Sequence, residues 1–149
     1  MRITAIREVA CPIHSTLRNA LFDFSEMTTS VVAVVTDVMR DGKPVTGFAF
    51  NSTVRYACGA QMRDRLIPRI IKAAPESLLN ATGDNLDPEK ILTCMMQRDK
   101  PGGHTERSVA IGTIQVACWD AVAKIADQPL PAGGASKYTG GKRTTKTQW

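Results

Sequence analysis

The sequence predicts an α+β fold, with a three-stranded antiparallel sheet followed by a helical bundle. Three observations lead to this prediction. The segments with strand character all lie in the first third of the chain, and the segments with helical periodicity all follow them. Between two of the strands, Asp41-Gly42 is a strong hairpin signal. Strands and helices that are separated along the chain in this way are typical of the α+β class.

Each of the three strands has its own sequence signal. Residues 2–7 alternate between polar and apolar side chains, as a half-buried strand does. Residues 28–39 are dense in valine and threonine, which suit a pleated sheet. Residues 44–50 resume the alternation after the turn at Asp41-Gly42. We therefore expect the last two strands to be antiparallel neighbours.

The first helical segment is predicted from apolar spacing. Met62, Leu66, Ile70 and Ile71 recur at intervals that place them on one helical face. Pro68 interrupts this segment and is expected to kink or split the helix.

Two further helices are predicted by their starts. Asp87-Pro88-Glu89 combines a side-chain cap, a proline at the first position and an early acid. The apolar face expected after it consists of Ile91, Leu92, Met95 and Met96. Thr105-Glu106 can open the last helix, and residues 109–126 are apolar on most sides, which is typical of a central, well-covered helix. Its main stripe is Ile111, Ile114, Cys118, Val122 and Ile125.

The end of the chain differs in composition from the rest. Residues 131–149 are rich in glycine and lack periodic apolar content, so we expect a disordered tail after a domain of residues 1–130. Four of the 19 basic residues, and none of the 14 acidic ones, lie beyond Asp127. The net charge of +5 thus resides mainly in this tail, and a nucleic-acid binder driven by it is a less favoured interpretation.

Composition limits the class of protein. The sequence is 43% hydrophobic and 22% charged, as in soluble globular domains, and no apolar run is expected to approach the length needed to span a bilayer. The start of the chain lacks the apolar stretch of a signal peptide, so a cytoplasmic location without membrane partners is expected. Cys11, Cys58, Cys94 and Cys118 form no CxxC pair and are expected to be reduced and structural.

Motifs for catalysis or metal binding are not found in the sequence. His14 and His104 have no second histidine or cysteine at ligand spacing, and no nucleophile elbow or phosphate loop occurs. Three segments remain unusual: residues 14–27 and 51–56 mix polar and aromatic groups, and residues 96–104 combine basic residues with glycines. Such loops can close over a small polar molecule, although ordinary surface loops have similar composition. Lys100 suits either a helix C-terminus or a carboxylate-bearing ligand.

These segments carry a resemblance to a known family. Residues 12–27, 31–40, 47–56, 79–88 and 106–124 resemble the N-terminal region of the D-tartrate dehydratase family, in the mandelate racemase/muconate lactonizing branch of the enolase superfamily. The most specific stretches are residues 81–88 (ATGDNLDP), 100–104 (KPGGH) and 119–124 (WDAVAK). The resemblance covers residues 1–130 and implies a capping domain of three strands and a helical bundle.

The resemblance also implies a division of labour in a longer enzyme. In the family, a barrel carries the Mg²⁺ ligands, a lysine base and a histidine acid, and the cap supplies substrate specificity and seals the site. The expected function is thus that of a capping domain for an acid-sugar dehydratase that converts D-tartrate to oxaloacetate and water. The catalytic residues and metal ligands would lie outside this chain, which alone would be inactive and bind no Mg²⁺.

Three substrate-binding positions follow from the resemblance. Asn19 matches a family substrate contact in the first loop, and Lys100 matches a lysine that reaches the substrate. Thr53 stands where the family pattern Asn-Ser-Asn-Gly-Arg-Tyr has its second asparagine, and Val54 replaces the glycine. A threonine is shorter and stiffer than asparagine, so the contact with the acid sugar should differ. No role is carried onto His104, although it belongs to a matched motif.

The resemblance leads to expectations about partners as well. The family continues into a barrel where residues 131–149 change in composition, which suggests a truncated or frame-shifted reading frame. Without a barrel, apolar groups such as Phe22, Phe24 and Phe48 would be exposed and promote homo-oligomers or aggregation. The alternative to an enzyme part is a binding module that contacts a barrel-bearing partner without catalysis.

Overall fold

A computed structural model describes residues 1–25, 27–51, 58–100 and 105–130. Its sheet consists of β1 (Ile3–Pro12), β2 (Thr28–Arg40) and β3 (Lys43–Phe50). The strand order is β1-β2-β3, and both neighbouring pairs are antiparallel. Helical segments follow the sheet along the chain. The α+β fold class predicted from the sequence is confirmed.

Strand β1 is longer than the sequence pattern predicts. It continues to Pro12, which pairs with Thr28 of β2. The alternation in the sequence predicts a strand only as far as residue 7. Beyond it, a charged side chain points towards the core and an apolar side chain points towards solvent. The side chain of Glu8 is buried, with its carboxylate paired with the Arg63 guanidinium, whereas Val9 is exposed. A charged residue on the core side and an apolar one on the outer side hide the ordinary alternation of a strand.

The turn between β2 and β3 forms at the predicted hairpin. Asp41 and Gly42 both have positive φ angles, 51° and 73°. A two-residue hairpin turn of type I′ requires positive φ at both central residues, and Asp-Gly suits this geometry. Arg40 pairs with Lys43 on either side of the turn. The local turn chemistry thus sets the register of the last two strands.

The first helical region is continuous in the chain through Pro68. It comprises α1 (Cys58–Gln61), a π-helical turn (Met62–Leu66) and α2 (Ile67–Lys72). Pro68 is the second residue of α2 and comes directly after the π-helical turn. The interruption predicted from Pro68 therefore takes the form of a change in helix type just before it. Ile71 is exposed, so its placement on the buried face was wrong.

Helix α3 (Pro88–Met96) begins where the sequence predicts. The Asp87 carboxylate accepts hydrogen bonds from the backbone N–H groups of Glu89 and Lys90, at 3.0 and 3.4 Å. A 3₁₀ turn (Pro75–Leu78) precedes α3 and was not predicted. On the expected apolar face, Ile91 and Met95 are fully buried and Leu92 partly, whereas Met96 is exposed.

Helix α4 (Glu106–Ile125) lies across β2 and β3. Its contact with β3 is closest at Gly47, where a Cβ atom would lie 2.1 Å from the Ala117 carbonyl oxygen and 2.5 Å from the Ala121 nitrogen. The buried residues of α4 are Ala110, Ile111, Thr113, Ile114, Ala117, Cys118, Ala121 and Ala123. Small residues on both sides let helix and sheet approach closely, and the predicted central helix is confirmed.

The length of α4 corrects one expectation from the sequence. At 20 residues the helix is long and apolar enough to cross a membrane by length and composition, so the expectation that no such run exists was wrong. However, 44% of its apolar window is buried inside the protein. The core helix of a water-soluble protein passes the same test. Its burial comes from packing against the sheet and α3.

The two faces of the sheet differ in what they contact. One face forms the core with the helices, and Val32 and Val34 on that face are fully buried. The opposite face presents Val9, Phe48 and Phe50, whose side chains are more than half exposed. The exposure expected for Phe48 is confirmed, and Phe50 adds to the apolar area on that face.

Candidate functional site

The first candidate loop folds into a small hairpin around Asn19. Arg18 and Asp23 form an isolated antiparallel bridge. Between them, the Asn19 N–H donates to the Phe22 carbonyl at 2.8 Å. The Asn19 Oδ1 accepts from the backbone N–H groups of Leu21 and Phe22, both at 2.8 Å. The side chain of Asn19 therefore builds the turn on which it sits.

The Nδ2 group of the Asn19 amide takes no part in the turn. Because Oδ1 faces two N–H donors, the amide orientation is fixed, and Nδ2 must point away from them. Asn19 is exposed, and within the described part of the chain its Nδ2 donates to no acceptor. The Nδ2 group is thus oriented and available to a ligand.

The surroundings of Asn19 are apolar and open to solvent. Leu21 is 85% exposed, and Leu17 and Phe22 are about half exposed or more. The rings of Phe22 and Phe24 lie 6.4 Å apart between centroids, and Phe24 is partly buried. The exposure expected for Phe22 is confirmed, whereas Phe24 is better covered than expected. Apolar side chains exposed on one small loop are suited to be covered by another element.

The second candidate loop starts from Asn51 at the end of β3. Asn51 is buried, and its Oδ1 accepts from the Ser30 N–H at 2.8 Å and from the Thr29 hydroxyl at 3.0 Å. The backbone N–H of Asn51 donates to the Ser30 carbonyl at 3.1 Å. These bonds fix the root of the loop to the first residues of β2. Thr53, the predicted substrate contact, lies outside the described residues.

The third candidate segment leaves α3 through a sharp backbone turn. Helix α3 ends at Met96, and Arg98 has a positive φ of 53°. This left-handed residue turns the chain so that the Asp99 side chain is buried and Lys100 is exposed. Lys100 lies four residues beyond the last helical residue, so the interpretation of Lys100 as a helix C-terminal cation does not apply. His104 lies outside the described residues.

Asp99, next to Lys100, is surrounded by three arginines. Its side chain is only 4% exposed. Oδ1 accepts from the Arg65 guanidinium and from Arg69 Nη2 at 3.1 Å. Oδ2 accepts from Arg107 Nε at 3.2 Å and Nη2 at 2.9 Å. We call these four residues the arginine cluster. It joins the π turn, α2 and the first turn of α4 to the segment that carries Lys100.

The arginine cluster strongly favours the charged form of its carboxylate. Hydrogen bonds from Arg65, and then from Arg107 and Arg69, hold the pKa of Asp99 well below its usual range, although burial opposes them. Within these four residues, the three guanidinium charges exceed the one carboxylate charge by two.

The arginine cluster was not predicted from the sequence, although the spacing of two of its arginines was a partial indication. Arg65 and Arg69 have the i, i+4 spacing that places both on one helical face. Arg107, however, is distant from both along the chain. The sequence pointed to Lys100 and not to the buried acid beside it.

The structure does not join the predicted site residues by direct contact. Asn19 and Lys100 lie on different loops, and no hydrogen bond links them in the described part of the chain. A cleft of about 630 Å³ lies instead between the 3₁₀ turn and α3, lined by residues such as Ser77, Lys90 and Cys94. Neither Asn19 nor Lys100 lines it. The two predicted contacts would thus meet a ligand from separate loops.

The described residues hold no cluster of metal-ligand side chains, and two of the four cysteines are buried. Within 1–25, 27–51, 58–100 and 105–130, no group of three or more His, Cys, Asp or Glu side chains is placed to hold a metal ion. Cys58 and Cys118 are buried, and burial raises the pKa of the Cys118 thiol to about 12. A thiol with so high a pKa stays protonated and unreactive, as expected for a structural cysteine.

Comparison with known proteins shows a similarity of fold. No family model matches the chain. Among solved structures, the fold is similar to that of a mandelate racemase/muconate lactonizing enzyme-like protein from Rubrobacter xylanophilus, with a TM-score of 0.57 and 15% sequence identity. The match covers 89% of this chain but 33% of that protein. The chain therefore spans about a third of the length of the structure it matches, and at this identity the likeness is one of fold.

Proposed function

We propose that this chain is the substrate-capping domain of an acid-sugar dehydratase of the D-tartrate type. The observation that carries the proposal is the fold: nearly the whole chain matches one third of a mandelate racemase/muconate lactonizing enzyme-like protein. A domain with this fold and with exposed polar loops is suited to cover a site that a second domain provides. Catalysis would then require a barrel domain, and this chain would be inactive alone.

The role proposed for Asn19 follows from its turn. Its Oδ1 is held by two backbone N–H groups, so Nδ2 is presented in one orientation. An oriented amide donor suits a hydroxyl or carboxylate oxygen of an acid sugar. Little side-chain entropy is lost on binding, because the turn has already ordered the amide. The leucines beside it would pack against the barrel and exclude water from the site.

The role proposed for Lys100 follows from its exposure and its support. Its ammonium is accessible at the surface, and the residue before it is fixed by three arginines. A cation on a fixed backbone suits a substrate carboxylate. Thr53 is proposed as a third contact through its hydroxyl. Mg²⁺ and its ligands are proposed for the barrel, because the described residues of this chain offer no suitable ligand set.

The test is complementation with a separately produced barrel domain of a D-tartrate dehydratase. The mixture, or a covalent fusion, is assayed for oxaloacetate formation from D-tartrate with Mg²⁺. We expect activity that neither part has alone. Asn19→Asp keeps an acceptor for the turn but removes the Nδ2 donor, and Lys100→Met removes the cation. Each should lower kcat/KM by about tenfold, the size of one lost charged or oriented hydrogen bond.

The matched control is Lys72→Met, which removes an exposed cation of α2. It should leave kcat/KM within about twofold, because an exposed charge away from the site contributes little. Binding of the barrel without any activity would instead indicate a non-catalytic module. Complemented activity that is unaffected by Asn19→Asp and Lys100→Met would contradict the assigned contacts.

A further inference from the structure

The arginine cluster gathers positive charge around a single acid. One carboxylate, Asp99, is enough to tie Arg65, Arg69 and Arg107 together. The charges of these four residues sum to +2, and exposed Lys100 adds a further positive charge next to them. Like charges held this close repel one another, and an additional anion would relieve that repulsion.

The arginines differ in how many of their donors Asp99 and its surroundings engage. Arg69 is mostly buried and donates to the Met95 carbonyl at 2.6 Å as well as to Asp99. Arg107 donates to Asp99 through two nitrogens. Arg65 is 56% exposed and donates to Asp99 through Nη2 alone among the described contacts. Its remaining N–H groups belong to a guanidinium that Asp99 already orients.

We propose that the arginine cluster is an anion-binding subsite that takes a carboxylate, with Arg65 as the contacting residue. The ligand class is a small dicarboxylate whose second charged group is met by the neighbouring Lys100. This inference rests on the proposed function for the choice of an acid sugar. It adds a contact that lies on the π turn, outside the three loops indicated by the sequence.

Three physical features favour this ligand class. A guanidinium presents planar paired donors that match the two oxygens of a carboxylate. The guanidinium of Arg65 is held in place by Asp99, so binding costs little ordering. The positive charge of exposed Lys100, which follows Asp99 in the chain, favours a dianion over a monoanion and raises its local concentration. A neutral polyol would gain from none of the three.

The experiment is an NMR titration of the full chain, observing arginine Nε–H resonances. The probe is D-tartrate, with D-threitol as the uncharged polyol of the same carbon skeleton and sodium chloride at matched ionic strength. We expect the Arg65 resonance to shift and saturate with D-tartrate and to remain in place with either control. Arg65→Gln should weaken the fitted affinity by about tenfold, as expected for one charge-assisted contact.

Two matched variants separate binding from folding. Lys72→Gln removes one charge from the same helical region and should change the affinity by less than about twofold. Arg65→Lys keeps the charge but loses the planar fork, and should fall between the wild type and Arg65→Gln. Each variant is checked by its backbone spectrum, so that a loss of structure is recognised.

Three results would overturn the subsite: no saturable shift with D-tartrate, an equal shift with chloride, or equal effects of Arg65→Gln and Lys72→Gln. Asn19→Ala distinguishes this inference from the proposed function. If Arg65→Gln and Lys100→Met weaken binding while Asn19→Ala does not, the subsite stands and the substrate contact proposed for Asn19 fails. If Asn19→Ala weakens binding while Arg65→Gln does not, the contact of Asn19 stands and the subsite fails.

Discussion

Two aspartates tie helices to the rest of this domain, and they do so in different surroundings. The side chain of Asp99 is buried and shared by three arginines from separate segments. Asp120, on α4, is partly exposed and accepts from the backbone N–H of Phe48 at 2.8 Å and from Lys124 at 2.6 Å. The first brings charged side chains together around one acid. The second attaches a helix to the backbone of a strand.

The different surroundings of the two aspartates indicate which one stabilises the fold and which one can bind an anion. At Asp120 one acid meets one base, Lys124, and the contact is supported by tight packing at Gly47. At Asp99 one acid meets three bases, of which Arg65 is exposed. The sheet–helix contact is thus suited to hold the fold, and the arginine cluster is suited to meet an anion.

The largest effect is expected from filling the contact at Gly47. Gly47→Ala places a Cβ atom 2.1 Å from the Ala117 carbonyl oxygen, and backbone atoms cannot yield as a flexible side chain does. We expect the free energy of unfolding to fall by about 3 kcal/mol, as in severe overpacking. The measurement is urea unfolding followed by circular dichroism.

Gly112→Ala in α4 is the control for this change. Outside the backbone of its own helix, no atom lies within 4 Å of the place that the new Cβ would take. The free energy of unfolding should therefore rise by about 0.5 kcal/mol through helix propensity. A Gly47→Ala protein as stable as the wild type would contradict the close contact between α4 and β3.

A smaller loss is expected from Asp99→Asn, which leaves three arginines without their shared acid. The free energy of unfolding should fall by about 2 kcal/mol at neutral pH, the size of a charge-assisted hydrogen-bond network. The arginines lower the pKa of Asp99 in the folded protein. Its stabilisation is therefore complete above the unfolded pKa of about 3.9 and is lost as the pH falls below that value.

The pH dependence gives the check on this prediction. Urea unfolding of wild type and Asp99→Asn at pH 7, 5 and 3 should give a difference that is equal at the first two values and smaller at the third. A difference that grows on acidification would contradict a depressed pKa for Asp99.

The smallest effects are expected at the partly exposed pair on α4. Asp120→Ala leaves the Phe48 N–H without its side-chain acceptor and should cost about 1 kcal/mol of unfolding free energy. Lys124→Met should cost a few tenths of a kcal/mol, since Lys124 is 44% exposed and its ion pair is screened by water. If Lys124→Met proved the more harmful of the two, the comparison of the two aspartates would have to be revised.

Much of the fold was predictable because its signals are local. The turn at Asp41-Gly42 needs only two residues with positive φ, and the start of α3 needs only Asp87 and the proline after it. The far half of β1 was not predictable, since the Glu8 side chain is buried only because Arg63 reaches it from a later segment. The length of β1 therefore depends on a contact between two residues that are 55 positions apart in the chain.

The candidate site was less predictable for the same reason. Asn19 and Lys100 were named from a resemblance, and the structure adds that one forms its own turn and the other follows soon after a left-handed residue. Asp99 could not be recognised as buried from its polar neighbours in sequence, because its partners come from three separate segments. Convergence of this kind arises only once the helices are packed.

The attachment of α4 has a consequence for how copies of this domain meet. The Phe48 N–H and the Thr46 carbonyl lie on the free edge of β3, and they are already taken by Asp120 and Lys124. A strand from another molecule that approached this edge would find these ladder positions occupied and a lysine in its path. The addition of a strand at this edge, the route by which exposed strands template aggregation, is therefore disfavoured at these positions.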